Sequence, residues 1–204
     1  MRIVLALSAA LLLLSVGSGA TASTSKPPQN GLIALNGWEG IYIVDPQEGT
    51  ARLVPKTVEM SDPAWSPDGT MLAVSAPYGE TTGVYTMKPD GSDRKLVLEN
   101  AYSPSWSPDG KQLVVVRGGV VDGDEDGTAL AIVDAEGSGA RTLDLGPAKD
   151  VHIVSMPEWS PDGKLIAFVD DGDGTVRFVS PDDKAAPVPA VAALPKPRPV
   201  SATV

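Results

Sequence analysis

Short apolar runs separated by turn residues recur along most of this chain. After residue 31 the runs fall at 32–35, 41–44 and 51–54, then at 71–74, 84–87 and 94–98. They return at 113–116, 129–133 and 140–143, and finally at 165–169 and 176–179. Runs of four or five residues are too short for helices. Being apolar almost without alternation, they read as strands covered on both faces. Between runs stand clusters of Gly, Pro, Asp and Ser, the residues that reverse a chain. The pattern predicts many short antiparallel strands and no helical domain.

The runs belong to a repeat. Pro63-Ala64-Trp65-Ser66-Pro67-Asp68-Gly69 returns as Pro104-Ser105-Trp106-Ser107-Pro108-Asp109-Gly110 and as Pro157-Glu158-Trp159-Ser160-Pro161-Asp162-Gly163. The tryptophans are 41 and 53 residues apart, a period typical of repeat folds with one four-stranded unit per repeat. Ser-Pro-Asp-Gly is a turn tetrad: Pro presets φ, Asp suits the next position, and Gly accepts positive φ. Each motif is therefore a strand ending in Trp, a tight turn, and then two or three more strands. Residues 31–54 match the later part of the unit without its opening motif. The extra length before the third Trp divides between the stretches before and after Leu143, both connections, where insertions are tolerated.

This unit resembles the WD40-like β-propeller repeat of TolB-type proteins, over residues 31–184. The resemblance implies an all-β fold, a partial or small propeller of about four blades built from four-stranded antiparallel sheets. In such a fold each blade is sandwiched between two others. Trp65, Trp106 and Trp159, with Pro67, Asp68, Gly69, Pro108, Asp109, Gly110, Pro161, Asp162 and Gly163, are then framework residues rather than an active site. TolB-type propellers are six-bladed rings, and about four units are counted here. Three arrangements are expected to compete: a four-unit arc or small ring with residues 188–194 supplying a late strand, a second copy completing a ring, or a fragment of a larger propeller. No counterpart of the family's additional domains, an N-terminal α/β domain or a hydrolase domain, is expected from these residues, and no G-x-S-x-G motif occurs among them.

The N-terminus changes the expected location. Arg2 is followed by an apolar stretch over 3–16 and by the small residues 17–22, ending in Ala20-Thr21-Ala22. This reads as an export signal cleaved after Ala22, with 23–30 as a polar leader. The alternative, a retained membrane anchor, is disfavoured by the shortness of the apolar run. The expectation is a periplasmic or secreted protein without stable membrane insertion. Net charge is −10, and removing Arg2 with the signal leaves −11. An acidic surface repels phosphate backbones, so nucleic acid is not an expected partner. Residues 185–204 form a Pro- and Ala-rich tail, read as largely extended or disordered.

Candidate chemistry is sparse. There is no Cys, and His152 is the only His, in an insertion beside Val and Ile where packing or exposure is the simpler reading. Asp122, Asp124 and Asp126 alternate in a Gly-containing loop like the first half of a calcium loop, but the twelfth position is Val133 where a bidentate Glu is needed. Calcium at these three aspartates is the only cofactor candidate; the plainer reading is a solvated hairpin tip. The segment 170–174, again acidic, occupies the equivalent place in the next unit and favours that plainer reading. Non-enzymatic binding of a protein or envelope component is expected, with self-association as a way to complete the ring. The alternative is a metal-dependent hydrolase or lyase on the same scaffold.

Overall fold

The computed structural model describes residues 31–76, 82–118, 128–145, 154–172 and 174–182, and residues 188–191 for their backbone. Asp122, Asp124, Asp126 and His152 lie outside the described residues, as does the export signal.

Four antiparallel sheets follow one another along the chain. Blade 1 comprises β1 (Ile33–Gly37), β2 (Gly40–Asp45) and β3 (Thr50–Leu53). Blade 2 comprises β4 (Ser61–Trp65), β5 (Leu72–Ala76), β6 (Gly83–Met87) and β7 (Lys95–Glu99). Blade 3 comprises β8 (Ala101–Trp106), β9 (Gln112–Gly118), β10 (Thr128–Asp134) and β11 (Arg141–Thr142). Blade 4 comprises β12 (Val154–Trp159), β13 (Ile166–Asp170), β14 (Thr175–Val179) and β15 (Val188–Val191). Within every blade the strand order in space is the order in sequence. Within the segment read as a Pro- and Ala-rich tail, Val188–Val191 form β15, paired with β14, where one of the three arrangements placed a late strand. Among the described residues blade 1 has no counterpart of the inner, Trp-bearing strand of the other three, in keeping with its missing motif.

The near-continuous apolar runs are explained by what lies on each side. In β9, Leu113 and Val115 pack toward blade 2, with Ala73, Val84 and Val97, while Val114 and Val116 pack toward blade 4, with Ile166 and Phe168. A third cluster joins Ile41, Ile43 and Val54 of blade 1 to Leu72, Val74 and Met87 of blade 2. Four blades are thus joined by three apolar interfaces. Among the described residues no fourth cluster returns from blade 4 to blade 1, so the structure is an arc.

The motif turns are built alike in each copy. Ser66, Ser107 and Ser160 donate their hydroxyls to Asp68, Asp109 and Asp162 at 2.6, 2.7 and 2.8 Å. The same hydroxyls accept the backbone N–H of Met71, Gln112 and Leu165, each at 2.9 Å. Gly69, Gly110 and Gly163 have φ of 71°, 71° and 72°, where a side chain would be strained. The turns also stack across blades: Pro67 lies beneath Gly110 and Pro108 beneath Gly163. The tryptophans pack between blades. Trp106 is buried in the interface between blades 2 and 3, and half-buried Trp65 and Trp159 pack against the other two clusters.

Candidate functional site

The strand directions give the arc two unlike ends. The Ser-Pro-Asp-Gly turns lie at one end together with the third turns of blades 1 to 3, such as Pro89–Ser92, all short and closed by aspartate side chains. The other end carries the second-strand hairpin tips and the connections between blades. There the chain varies in length, and there the apolar exposure collects. Trp38, at the tip of the β1–β2 hairpin, is fully exposed, and Val58, Tyr102 and Met156 are exposed beside the connections. The remaining exposed large apolar residues, Ile33, Leu35 and Leu53, all belong to blade 1.

The loop end is shaped by a repeated irregularity. Asp62, Ser103 and Met156 each precede the motif proline, and each has φ near 50°: 51°, 50° and 50°. The ladder between the inner strand and its neighbour breaks at this point in all three blades. A left-handed non-glycine residue costs about 1–2 kcal/mol, and a following proline limits the choices further. The bulge re-aims these side chains, and hydrogen bonds hold it. The Asp62 carboxylate accepts the hydroxyls of Ser61 and Ser75 at 3.2 and 2.9 Å, and Ser75 in turn accepts the backbone N–H of Ser103 at 2.9 Å. One buried serine thereby ties the bulges of two adjacent blades together.

The next pair of blades is tied differently. Ser105 donates to Glu158 at 2.8 Å and accepts the Trp159 backbone N–H at 3.3 Å. Partial burial pushes the Glu158 carboxyl above its ordinary value, and the Ser105 hydroxyl opposes that shift. The residue as a whole stays more than a third exposed, because only its carboxyl end is tucked against blade 3. Tyr102 is also raised, by burial first and then by the negative charge of Asp171. Asp171 accepts the Ser155 hydroxyl at 3.0 Å. The loop end therefore pairs acidic and hydroxyl groups with exposed aromatic and thioether surface.

One sequence expectation is corrected here. The segment 170–174 was expected to be a solvated acidic tip. Asp170 is instead fully buried at the end of β13, paired with Arg177 of β14 at 2.8 Å and accepting the Gly172 backbone N–H at 3.0 Å. The period-two alternation of β13 explains it: Ile166 and Phe168 face blade 3, and Asp170 follows them onto that face. Asp171, one residue on, is exposed as expected. The pre-proline bulges and the Asp170–Arg177 pair were missed by sequence reasoning. The recurrence of a proline two residues before each Trp was the available signal for the bulges.

Sheets stacked face to face with inner strands in sequence order define a β-propeller. Residues 96–203 match the family described as the lipoprotein LpqB β-propeller domain. The match takes in more than half of the chain, and the protein belongs to this family. No curated protein matches the chain. Among solved structures, the chain is similar to TolB from Acinetobacter baumannii at 18% identity and a TM-score of 0.59, over 76% of this chain and 39% of that one. It is similar to an oligogalacturonate lyase in complex with manganese at 18% identity and a TM-score of 0.54, over 72% and 40%. It is similar to a chain of a nidogen/laminin complex at 14% identity and a TM-score of 0.54, over 75% and 55%. At these identities the likeness shows the fold alone. The chain spans about two fifths of the TolB and lyase chains.

Proposed function

We propose that this protein is an exported, non-enzymatic propeller module of the cell envelope that binds a protein or another envelope component through its loop end. The observation that carries this reading is the gathering of Trp38, Val58, Tyr102 and Met156 at that end, while the opposite end is closed by polar, aspartate-capped turns. An exposed aromatic and thioether surface rimmed by carboxylates and hydroxyls suits protein recognition. Membership of a lipoprotein propeller family and the apparent export signal support the envelope location. The acidic charge turns the surface away from nucleic acid and toward neutral or basic partners.

The enzymatic alternative rests on metal at Asp122, Asp124 and Asp126. The two readings separate in one comparison on envelope extract. Wild-type protein is expected to retain a component that a Trp38→Ala, Met156→Asp variant releases, while a control change at the opposite end, Asp90→Ala, retains it. Equal retention by all three removes the loop end as the binding surface. A metal-dependent turnover of envelope glycan or peptide, abolished by replacing the three aspartates with asparagine, would establish the enzyme instead.

A further inference from the structure

The carboxylates of the arc are used differently at its two ends. Toward the Ser-Pro-Asp-Gly turns they are committed to the fold. Asp68, Asp90, Asp109 and Asp162 accept backbone N–H groups of their own turns. The exposed ion pairs Lys88–Asp93, Lys95–Glu136, Lys111–Asp109 and Lys164–Asp162 also lie toward that end. At the loop end, Glu59 and Glu99 are exposed and have no hydrogen-bond or ion-pair partner among the described residues. Glu39 and Asp171 are exposed there too, each engaged by a hydroxyl, of Tyr42 and of Ser155, rather than by a cation. The loop end therefore carries negative charge that the molecule leaves unneutralised.

The connection between blades 1 and 2 shows that this exposure is built. The Met60 backbone N–H donates to the Thr57 carbonyl at 3.0 Å, closing a turn whose outer residues are buried and whose central pair, Val58 and Glu59, is exposed. Thr57 seats the turn against the hairpin tip of blade 1. Its hydroxyl accepts the Ile41 N–H at 2.9 Å and donates to the Val54 carbonyl at 2.7 Å. Glu59 has φ of 63°, and positive φ at the third position of a turn ordinarily calls for Gly or Asn. The fold thus holds a glutamate in a conformation that disfavours it and makes no use of its carboxylate. Strain kept at such a place points to a use outside the fold.

Each exposed apolar residue of the loop end has such a carboxylate for a neighbour. Glu39 follows Trp38 and Glu59 follows Val58. Asp171 lies close enough to Tyr102 for its charge to be felt there, and it holds Ser155, the residue before Met156. The four places are continuous: Thr57 ties the blade 1 tip to the next connection, and Ser75 ties the bulge at Asp62 to that at Ser103. We propose that this band docks an extended segment of a partner protein in which apolar side chains alternate with lysine or arginine. Its apolar side chains rest on Trp38, Val58, Tyr102 and Met156, and its cations lie beside Glu39, Glu59, Glu99 and Asp171. The inference rests on the loop end being the binding surface and adds the chemistry of the partner. Opposite charge selects that partner, and an acidic segment of the same apolar content is repelled. An extended chain suits the site because its residues stand at successive places along the arc, and a strand offers side chains at regular steps.

The test is fluorescence anisotropy with labelled synthetic peptides of about ten residues, enough extended chain to pass several side chains of the band. A peptide of alternating lysine and leucine is expected to bind, more weakly as salt is raised. Peptides with glutamate for lysine, or serine for leucine, are expected to bind about tenfold more weakly or not at all. Glu59→Gly combined with Glu99→Gln should weaken the lysine–leucine peptide about fivefold, with a thermal midpoint no lower than wild type, since Gly accepts the backbone at 59. Trp38→Ala should weaken it about tenfold or more. Glu48→Gln combined with Asp90→Asn removes the same charge from the opposite end and should leave binding unchanged. Equal weakening by the two charge variants would reduce the effect to net charge and overturn the proposal. A glutamate peptide that binds as well as the lysine one overturns it too, and so does a Glu59→Gly variant that loses stability, which would assign Glu59 to the fold. Wild type that retains its envelope component but refuses the lysine–leucine peptide overturns this inference and leaves the loop-end reading standing, whereas loss of both overturns both.

Discussion

Ser66, Ser107 and Ser160 each hold two groups with one hydroxyl, donating to an aspartate and accepting a backbone N–H five residues on. Ser107 is buried, so Ser107→Ala leaves the Gln112 N–H without its acceptor and is expected to cost roughly 1–2 kcal/mol in urea unfolding. The partner aspartates have a pH signature. The serine hydroxyl first, and the backbone N–H two residues on next, hold Asp68, Asp109 and Asp162 below the usual carboxylate range. A depressed folded-state value stabilises above the unfolded value of about pH 4 and is lost as pH falls through the lower folded one. Stability should therefore fall on acidification through this window, and Asp109→Asn should flatten the fall when unfolding is compared at pH 3 and pH 7. An unchanged acid limb would show that these exposed caps are screened to insignificance. Trp106 acts by volume as well as by its hydrogen bond to Ala64. Trp106→Ala opens the interface between blades 2 and 3 and is expected to cost about 3–5 kcal/mol, read from the urea midpoint.

At the scale of the strand, alternation decides which acidic residue is buried. Asp170 lies on the blade 3 side of β13 and is neutralised by Arg177, itself only a quarter exposed. Removing one member of such a pair strands the other, so Asp170→Ala is expected to lower stability by about 3–5 kcal/mol. Replacing both, Asp170→Leu with Arg177→Met, should recover most of that loss, and a double-mutant cycle on unfolding free energies measures the coupling. A double variant as unstable as Asp170→Ala would place the defect in packing rather than in the unpaired cation. This pair also marks where sequence reading stopped. The apolar runs located β5, β6, β9, β10 and β13 because burial on both faces leaves a run without alternation, and the Trp-Ser-Pro-Asp-Gly turns fixed which strands are inner. That blade 1 has only three strands among the described residues was readable from its missing motif. Asp170 was not, because the Gly-rich stretch that follows it has the composition of a solvated turn, and only strand register distinguishes it from Asp171. The left-handed residues Asp62, Ser103 and Met156 were hidden for another reason: Asp, Ser and Met share no conformational preference, and the conformation comes from the bulged ladder rather than from the residues themselves. The site candidates at Asp122, Asp124 and Asp126 fall outside the described residues, so the loop end was reached through exposure and geometry rather than through a motif.

At the scale of the molecule, an arc is a one-dimensional array, and its stability is graded by neighbours. Among the described residues, blades 2 and 3 are covered on both faces, whereas blades 1 and 4 are each covered on one. Val74, Val114, Val115 and Leu130 are fully buried in the middle of the array, while β1 and β3 carry half-exposed or exposed residues throughout. Opening an end blade breaks one apolar interface, but opening a middle blade breaks two. Hydrogen exchange on dilute protein should therefore be slowest in β5, β9 and β10 and fastest in β1 and β3, with β14 between them because the buried Asp170–Arg177 pair anchors that end. The gradient follows from the arc alone and would appear in an isolated monomer. Uniform protection across the four blades at low concentration would show that the chain closes on itself within one copy.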